Sequence, residues 1–565
     1  MMKSEWIGKQ AKEFLPAVAC GLALLVVILL AHPGGEVPAS DDVSFIHSAQ
    51  VLAQTGRIAY NGFVAPILGW QLYWAAAFLR LFGDSLQTAR LSMSVLAVLT
   101  AFFCQRTLRR AGISSWNASV GTLTLVLSPM FAMISVTFMT DVPACFAMLV
   151  CVYACMRALQ AQATAAAAGW IVFAALSNAL LGTTRQTAWM GFLLIVPAAL
   201  WMLRRRRTVL VAGAASVLVS AVLAGAILYW FQQHPYIIVE GVLPPFFLWH
   251  FVFESLIAAI ALPLALTLFL LPILVVFLPA LMSRRLPWPV YTMVGMFALG
   301  AVVFCRKQNI GYWAAPYVGL SFIWPFGLGV SLGFTVMVVL CWLGLAAAVL
   351  TRETNVADLP AAISPPYRAS LPYRSLLTLL LPFAVVYTGF TVERAGFTAL
   401  WDRYTLPLLL VLLILLLRFY QDRGHRNLPV IALIAALCYG GVAAAITHDD
   451  FVVRRARLAA TEEIQAAGIP RTQITAGWDY DEMTELTVSD HVYAPRMRLP
   501  KGAVLPKPTH YGIPHCLAFY CTMYPHVLPK YTLASQPAPG FTEFPPVPYR
   551  PWILPPGTVY VVPFP

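Results

Sequence analysis

The chain has 565 residues, 60% of them hydrophobic and only 11% charged, with a formal net charge of +13 and a mean hydropathy of +0.75. A soluble globular domain carries about a quarter charged residues, so this composition excludes one and describes a polytopic membrane protein. The basic residues are distributed by membrane side, which explains the charge without a nucleic-acid partner.

A membrane-spanning helix needs roughly 20 apolar residues, and about 13 such segments can be read along the chain. Their centres lie near Leu24, Val95, Leu127, Met148, Ala175, Leu194, Leu218, Phe269, Gly295, Val336, Phe383, Val411 and Ala435. The first segment has no small-residue cleavage site and reads as a retained span. With Lys3, Lys9 and Lys12 placed in the cytoplasm, the alternation puts roughly 19 basic residues in inside loops and about 8 in outside loops. The outside set is Arg57, Arg80, Arg90, Arg185, Arg306, Lys307, Arg394 and Arg403. Asp41, Asp42, Asp141 and everything after His448 fall on the extracytoplasmic side.

Residues 32–87 form a long first loop. Stretches 43–54 and 68–81 have the helical spacing of apolar residues that predicts two helices lying on the outer leaflet. Residues 1–447 read as the transmembrane domain. Residues 448–565 turn to Pro, Thr, Asp and Tyr and read as a small α/β extracytoplasmic domain. There, a helix over 450–467 stops at Gly468-Ile469-Pro470, and short strands are expected at 473–476 and 558–562. His448-Asp449-Asp450 reads as the solvated start of this tail.

Carboxylates beside lipid are costly unless they face water or a polar cavity, so Asp41, Asp42 and Asp141 are the first candidates for chemistry. Ser40-Asp41-Asp42 also suits a helix start, with Ser40 as its cap, and Thr140-Asp141-Val142-Pro143 suits another. As functional groups, such carboxylates can act as a general base towards a hydroxyl or amine. A pair from two loops can also orient an acceptor or hold a divalent cation through oxygen ligands. Arg185 and Arg403 can clamp a phosphate in bidentate fashion, or can snorkel or pair, as Arg403 could with Asp402. His510, His515, Cys516, Cys521 and His526 match no standard zinc spacing. Outside the cytoplasm, a Cys516–Cys521 disulfide is the better reading. No nucleotide-binding loop or dinucleotide fingerprint is present.

Asp41-Asp42, followed by Ala49-Gln50-Val51-Leu52-Ala53-Gln54-Thr55-Gly56, resembles the first-loop pattern of GT-C class membrane glycosyltransferases. The nearest branch holds the protein O-mannosyltransferases of glycosyltransferase family 39 and the bacterial aminoarabinose transferases. Leu81-Phe82-Gly83-Asp84-Ser85 with Ala89-Arg90-Leu91, Thr140-Asp141-Val142-Pro143 and Arg403-Tyr404-Thr405-Leu406-Pro407 extend the likeness. The family pair is commonly Asp-Glu, and a Lys-Pro-Pro segment is replaced here by Ala65-Pro66-Ile67-Leu68-Gly69-Trp70.

The resemblance implies a GT-C fold in the bacterial plasma membrane. It also implies transfer of a sugar from a polyprenyl-phosphate-linked donor to a lipid, glycan or protein acceptor, with inversion. Asp41, Asp42 and Asp141 are the implied catalytic acids, with Asp41 and Asp141 as ligands if a divalent metal is used. Arg185, Arg403, Arg57 and Arg394 are the candidates for the donor phosphate. The rival reading is a polytopic lipid or sugar transporter or flippase.

Overall fold

Hydrocarbon offers no water to satisfy backbone N–H and C=O groups, so apolar segments of this length must close their own hydrogen bonds as helices. The computed structural model describes residues 2–39, 41–239, 249–283, 285–308, 328–350, 370–395, 401–423, 427–503 and 522–564. Its first half contains α1 (Met2–Ala31), α2 (Asp42–Thr55), α3 (Gly69–Phe82), α4 (Leu86–Arg110), α5 (Ser115–Val126), α6 (Pro129–Ile134), α7 (Asp141–Gln160), α8 (Thr164–Leu181), α9 (Val196–Met202) and α10 (Arg207–Gln233). There follow α11 (Trp249–Leu274), α12 (Ala280–Ser283), α13 (Trp288–Gln308), α14 (Leu328–Leu350), α15 (Tyr373–Ala395), α16 (Leu406–Asp422), α17 (Val430–Ala466) and α18 (Trp478–Ser489).

Among the described residues, eight helical stretches are long and apolar enough to cross a membrane: those of α1, α4, α7, α8, α10, α15, α16 and α17. Shorter apolar stretches occupy Gln186–Met202, Ala261–Phe277 and Val336–Leu350. The span expected around Leu127 is instead two helices. Ser128 ends the first and caps α6 by accepting the Phe131 N–H, with Pro129 in the first turn. Large apolar side chains stay exposed along the spans, such as Leu22, Val26 and Leu29 on α1 and Val211, Leu218 and Val222 on α10. These are the faces that lipid covers. Between helices the contacts use small residues, since lipid supplies no hydrophobic drive for association. Ala154, Ala158, Ala167, Ala174 and Ala175 are fully buried on α7 and α8.

Both first-loop helices form close to the expected positions, and each end is held by a distant group. Arg80, in the last turn of α3, donates from Nε to the Ala53 carbonyl at the end of α2. Gly69 opens α3 with φ +28, and a Cβ there would overlap Thr183. Trp70 Nε1 donates to the Leu181 carbonyl and locks the same junction. Gly62, at φ +87, lies against the Val492 carbonyl of the tail, again with no room for a Cβ. Around it three segments exchange backbone bonds: Gly62 N–H to Tyr236 O, Val492 N–H to Asn61 O, and Ile238 N–H to Val64 O.

The tail begins inside a helix. The last span and the first tail helix are one element, α17, which at 1.5 Å per residue is about 55 Å long. It ends at Ala466, and Gly468 follows at φ +84, the stop signal expected there. The expectation of a solvated His448-Asp449-Asp450 is corrected. Asp449 is 1% exposed, because its carboxylate accepts the backbone N–H groups of Trp552, Ile553 and Leu554. The sheet has the order β1 (Ile474–Thr475), β2 (Tyr531–Ala534), β4 (Gly557–Pro563) and β3 (Val547–Tyr549). β1 pairs parallel with β2, and the other neighbours are antiparallel. Val559 and Val561 pack with Ile474 and Tyr480 against Ala456, Ala460 and Ile464 of α17. Cys516, Cys521, His510 and His515 lie outside the described residues. His526 Nδ1 sits 2.6 Å from Glu485 Oε1.

Asp481 ties β1 to α18, accepting from Thr475 Oγ1 and the Ala476 N–H. Burial is the main reason its pKa is pushed up to about 7. Its unfolded value is 3.8, so the folded tail binds this proton more tightly. The tail is therefore expected to lose stability as pH rises from about 4 to about 7, and then to level off. Hydrogen exchange at the β1 and β2 amides, corrected for intrinsic rates, measures this. Asp481→Asn should flatten the dependence.

Candidate active site

Among the described residues, three helix starts are capped in the usual way. Ser85, Ser114 and Ser128 each accept an N–H from the first turn they precede. The two acidic starts are different. Asp41 is the N-cap of α2 and Thr140 that of α7, yet neither makes a side-chain cap bond. Ser40, the expected cap of α2, lies outside the described residues. The carboxylates of Asp41 and Asp141 are turned to arginines instead.

Arg403, in a short 3-10 turn (Asp402–Thr405) that opens α16, joins the two acids. Its Nη2 donates to Asp41 Oδ2 at 3.3 Å, and its Nε lies 3.5 Å from Asp141 Oδ2. Arg185 Nη1 donates to Asp141 Oδ1 at 2.5 Å. Asp402, the sequence-adjacent partner, accepts the backbone N–H of Arg403. Tyr404 stands between the two cations, with the Arg185 guanidinium 4.3 Å and the Arg403 guanidinium 5.7 Å from its ring centroid. Tyr387 holds this turn by donating to the Tyr404 carbonyl.

These four charges therefore form one chain, Asp41–Arg403–Asp141–Arg185, assembled from elements far apart in sequence. The Asp141 side chain is 3% exposed and that of Asp41 26%. Asp141 Oδ2 and Arg403 Nε face each other without hydrogen-bonding, so each retains capacity for another partner. Burial raises the pKa of Asp41; Arg403 opposes the shift, and Asp42 and Asp141 add to it.

Asp42 is placed elsewhere. It is fully buried and forms a two-pronged pair with Arg90 of α4, Nε to Oδ2 at 2.7 Å and Nη2 to Oδ1 at 3.1 Å. The same arginine donates to the Val37 carbonyl, and the Phe138 N–H also reaches Asp42 Oδ2. This acid pins the first turn of α2 to the bundle. Arg57 is exposed beyond the left-handed Gly56, and among the described residues no ion pair joins it to the carboxylates. Arg394 is half-buried in the last turn of α15.

A divalent cation does not fit between Asp41 and Asp141 as they stand. The Arg403 guanidinium occupies that position, whereas hard cations want six or more oxygen ligands. Among the described residues no three His, Cys, Asp or Glu side chains converge as a metal site.

One neighbour of the site carries no readable sequence signal. Glu482 of α18 is fully buried, and its Oε1 accepts both the N–H and the Oγ–H of Ser44 in the first turn of α2. It supplies the cap that Asp41 does not. Its second oxygen has no hydrogen-bond partner, and burial holds its pKa well above the ordinary range. In the sequence it belongs to Asp479-Tyr480-Asp481-Glu482, where no local motif points to the first loop.

Neither a protein-family model nor a curated protein matches this sequence. Solved structures are similar to it at low identity. ArnT from Cupriavidus metallidurans in the apo state is 18% identical, with 85% of this chain and 84% of that chain covered and a TM-score of 0.38. The same protein bound to undecaprenyl phosphate is 17% identical, with 83% and 82% covered and a TM-score of 0.37. The apo oligosaccharyltransferase of Archaeoglobus fulgidus is 11% identical, with 91% and 69% covered and a TM-score of 0.39. All three TM-scores lie below 0.5.

Removing one partner of a buried pair leaves an uncompensated charge, at a cost of about 3–5 kcal/mol. Arg90→Ala is therefore expected to lower the unfolding temperature in detergent sharply, as is Asp42→Leu. Asp41→Asn, at a partly exposed carboxylate with one arginine contact, should shift it far less.

Proposed function

We propose that this protein is a GT-C glycosyltransferase that moves a hexosyl or pentosyl group from a polyprenyl-phosphate-linked donor to a lipid, glycan or protein acceptor. It does so with inversion, on the extracytoplasmic face of a bacterial plasma membrane. The N-terminus is cytoplasmic, and the tail lies on the same side as the acids. The observation that carries this reading is the meeting of Asp41 and Asp141 on one guanidinium, with a second guanidinium bound to Asp141.

In the reaction, Asp41 takes the proton of the acceptor hydroxyl or amine. The acceptor atom forms a bond to the anomeric carbon from the face opposite the donor phosphate. The bond from that carbon to the phosphate oxygen breaks, and the polyprenyl phosphate departs with the electron pair. Arg185 and Arg403 neutralise the phosphate, a role suited to their planar forks. Asp141 holds both arginines towards it. With two acids and two arginines the resting cluster is neutral. A bound phosphate adds a negative charge and draws Arg403 away from Asp41, and both changes raise the proton affinity of Asp41 further. Donor binding thus prepares the base.

Arginines take the place that a metal would otherwise fill at the leaving group. The transporter reading asks for ionisable groups within spans near the midplane. Here Asp41, Asp141 and Arg403 stand at helix starts, and Arg185 stands between two short 3-10 turns.

The test is sugar transfer in reconstituted membranes supplied with a panel of polyprenyl-phosphate-linked sugars. Asp41→Asn should lower the rate by about 10²–10⁴-fold with normal expression. Arg403→Ala should weaken binding of a polyprenyl phosphate. The acidic limb of the wild-type rate should lie above the ordinary aspartate range, with activity lost as pH falls through it. Full transfer by Asp41→Asn would remove Asp41 as the base. A chelator should leave the rate unchanged.

A further inference from the structure

Helix α17 records where lipid stops. From Val430 to Asp449 it rises about 29 Å, close to the roughly 30 Å of a bilayer's hydrocarbon layer. Val430, Ile431, Ile434, Leu437 and Val442 are exposed along this stretch. From Ala443 to Thr461 no residue of the helix is exposed, because protein covers it. Beside this stretch Gly440 lies against Val27 of α1, about one turn before that helix ends at Ala31, and further along Arg455 donates to the carbonyls of His32 and Gly34. Two spans therefore place a membrane boundary near residues 443–449 of α17.

At this boundary the tail presents an apolar loop. Residues 550–556 connect β3 and β4, and Trp552, Ile553, Leu554, Pro555 and Pro556 are all exposed. Trp552 is 55%, Ile553 47% and Leu554 39% exposed. Their level is fixed by two contacts with α17. Asp449 accepts the three successive N–H groups at 2.6, 3.0 and 3.0 Å, and the His448 ring stacks on Trp552 with centroids 4.0 Å apart. The backbone donors are thus satisfied inward. The outward surface offers aliphatic groups, a tryptophan and two prolines, which lack N–H groups altogether. Such a surface has little use for water and suits the headgroup boundary, where tryptophan is favoured.

We propose that Trp552-Ile553-Leu554 is an interfacial anchor, inserted into the leaflet on the tail's side, that fixes the C-terminal domain on the membrane above the acidic site. The occupant is lipid. The loop continues the lipid-facing surface of α17, and Arg550 at its start is placed to meet phosphate headgroups.

The full-length protein in phosphatidylethanolamine–phosphatidylglycerol vesicles, with a photoreactive probe on the lipid acyl chain, tests this by peptide mapping. Label is expected on the peptide holding residues 550–557 and on the 430–442 peptide of α17, and absent from β2. Label on the α17 peptide but not on 550–557 would overturn the proposal. So would cross-linking of 550–557 to a second protein chain instead of lipid. A Trp552→Asp/Ile553→Asp variant should lose the loop's label while keeping that of α17 and normal hydrogen exchange in β4. Persistence of the loop's label in that variant would also overturn it.

Discussion

The bridge from Arg403 to Asp41 and Asp141 is the interaction on which the rest of the site depends. A guanidinium held between two carboxylates pairs three charges that would be costly singly beside lipid. The three come from the first loop, the start of α7 and the start of α16, so the bridge also gathers three parts of the chain at one point. Arg185, from between two 3-10 turns, and the Tyr404 ring, from the turn that carries Arg403, then close the set. The neighbouring pair, Asp42 with Arg90, is fully buried and two-pronged, and so is suited to rigidity. Two adjacent acids thus take different tasks through their surroundings alone.

Helix α2 is held at both ends by groups outside it. Arg80 of α3 bonds the final carbonyls of α2, and Glu482 of the tail occupies its first turn. Since Asp41 is the residue that begins α2, a displacement of the tail helix would reach the site through Ser44. The tail is therefore part of the mechanism that positions the acid.

Much of this could be read in the chain itself, and the reasons are local. Length and apolarity mark spans without any tertiary knowledge, and the 3.6-residue spacing in the first loop marked α2 and α3 nearly to their ends. Gly468 marked the stop of α17 because a left-handed residue is required there. The acids at Asp41 and Asp141 stood out because charge beside lipid demands a reason. What local reading lost was partnership. Arg403 borders Asp402, yet pairs with acids several hundred positions away. Asp449 looked solvated because its three N–H donors arrive from the last segment of the chain. Glu482 gave no sign for the same reason, since its partner Ser44 lies 438 positions away. The Leu127 segment misled differently: its apolarity was continuous, while Ser128-Pro129 broke the helix inside it.

The unbroken course of α17 ties the tail mechanically to the bilayer. Beyond Gly441 this rod contains neither glycine nor proline, so no such break falls between the level of the lipid boundary and the tail. Spans adapt to thinner membranes by leaning over. A lean of about 10° would carry the far end of a 55 Å rod sideways by about 10 Å. The C-terminal domain, joined to the rod without a break, would travel with it.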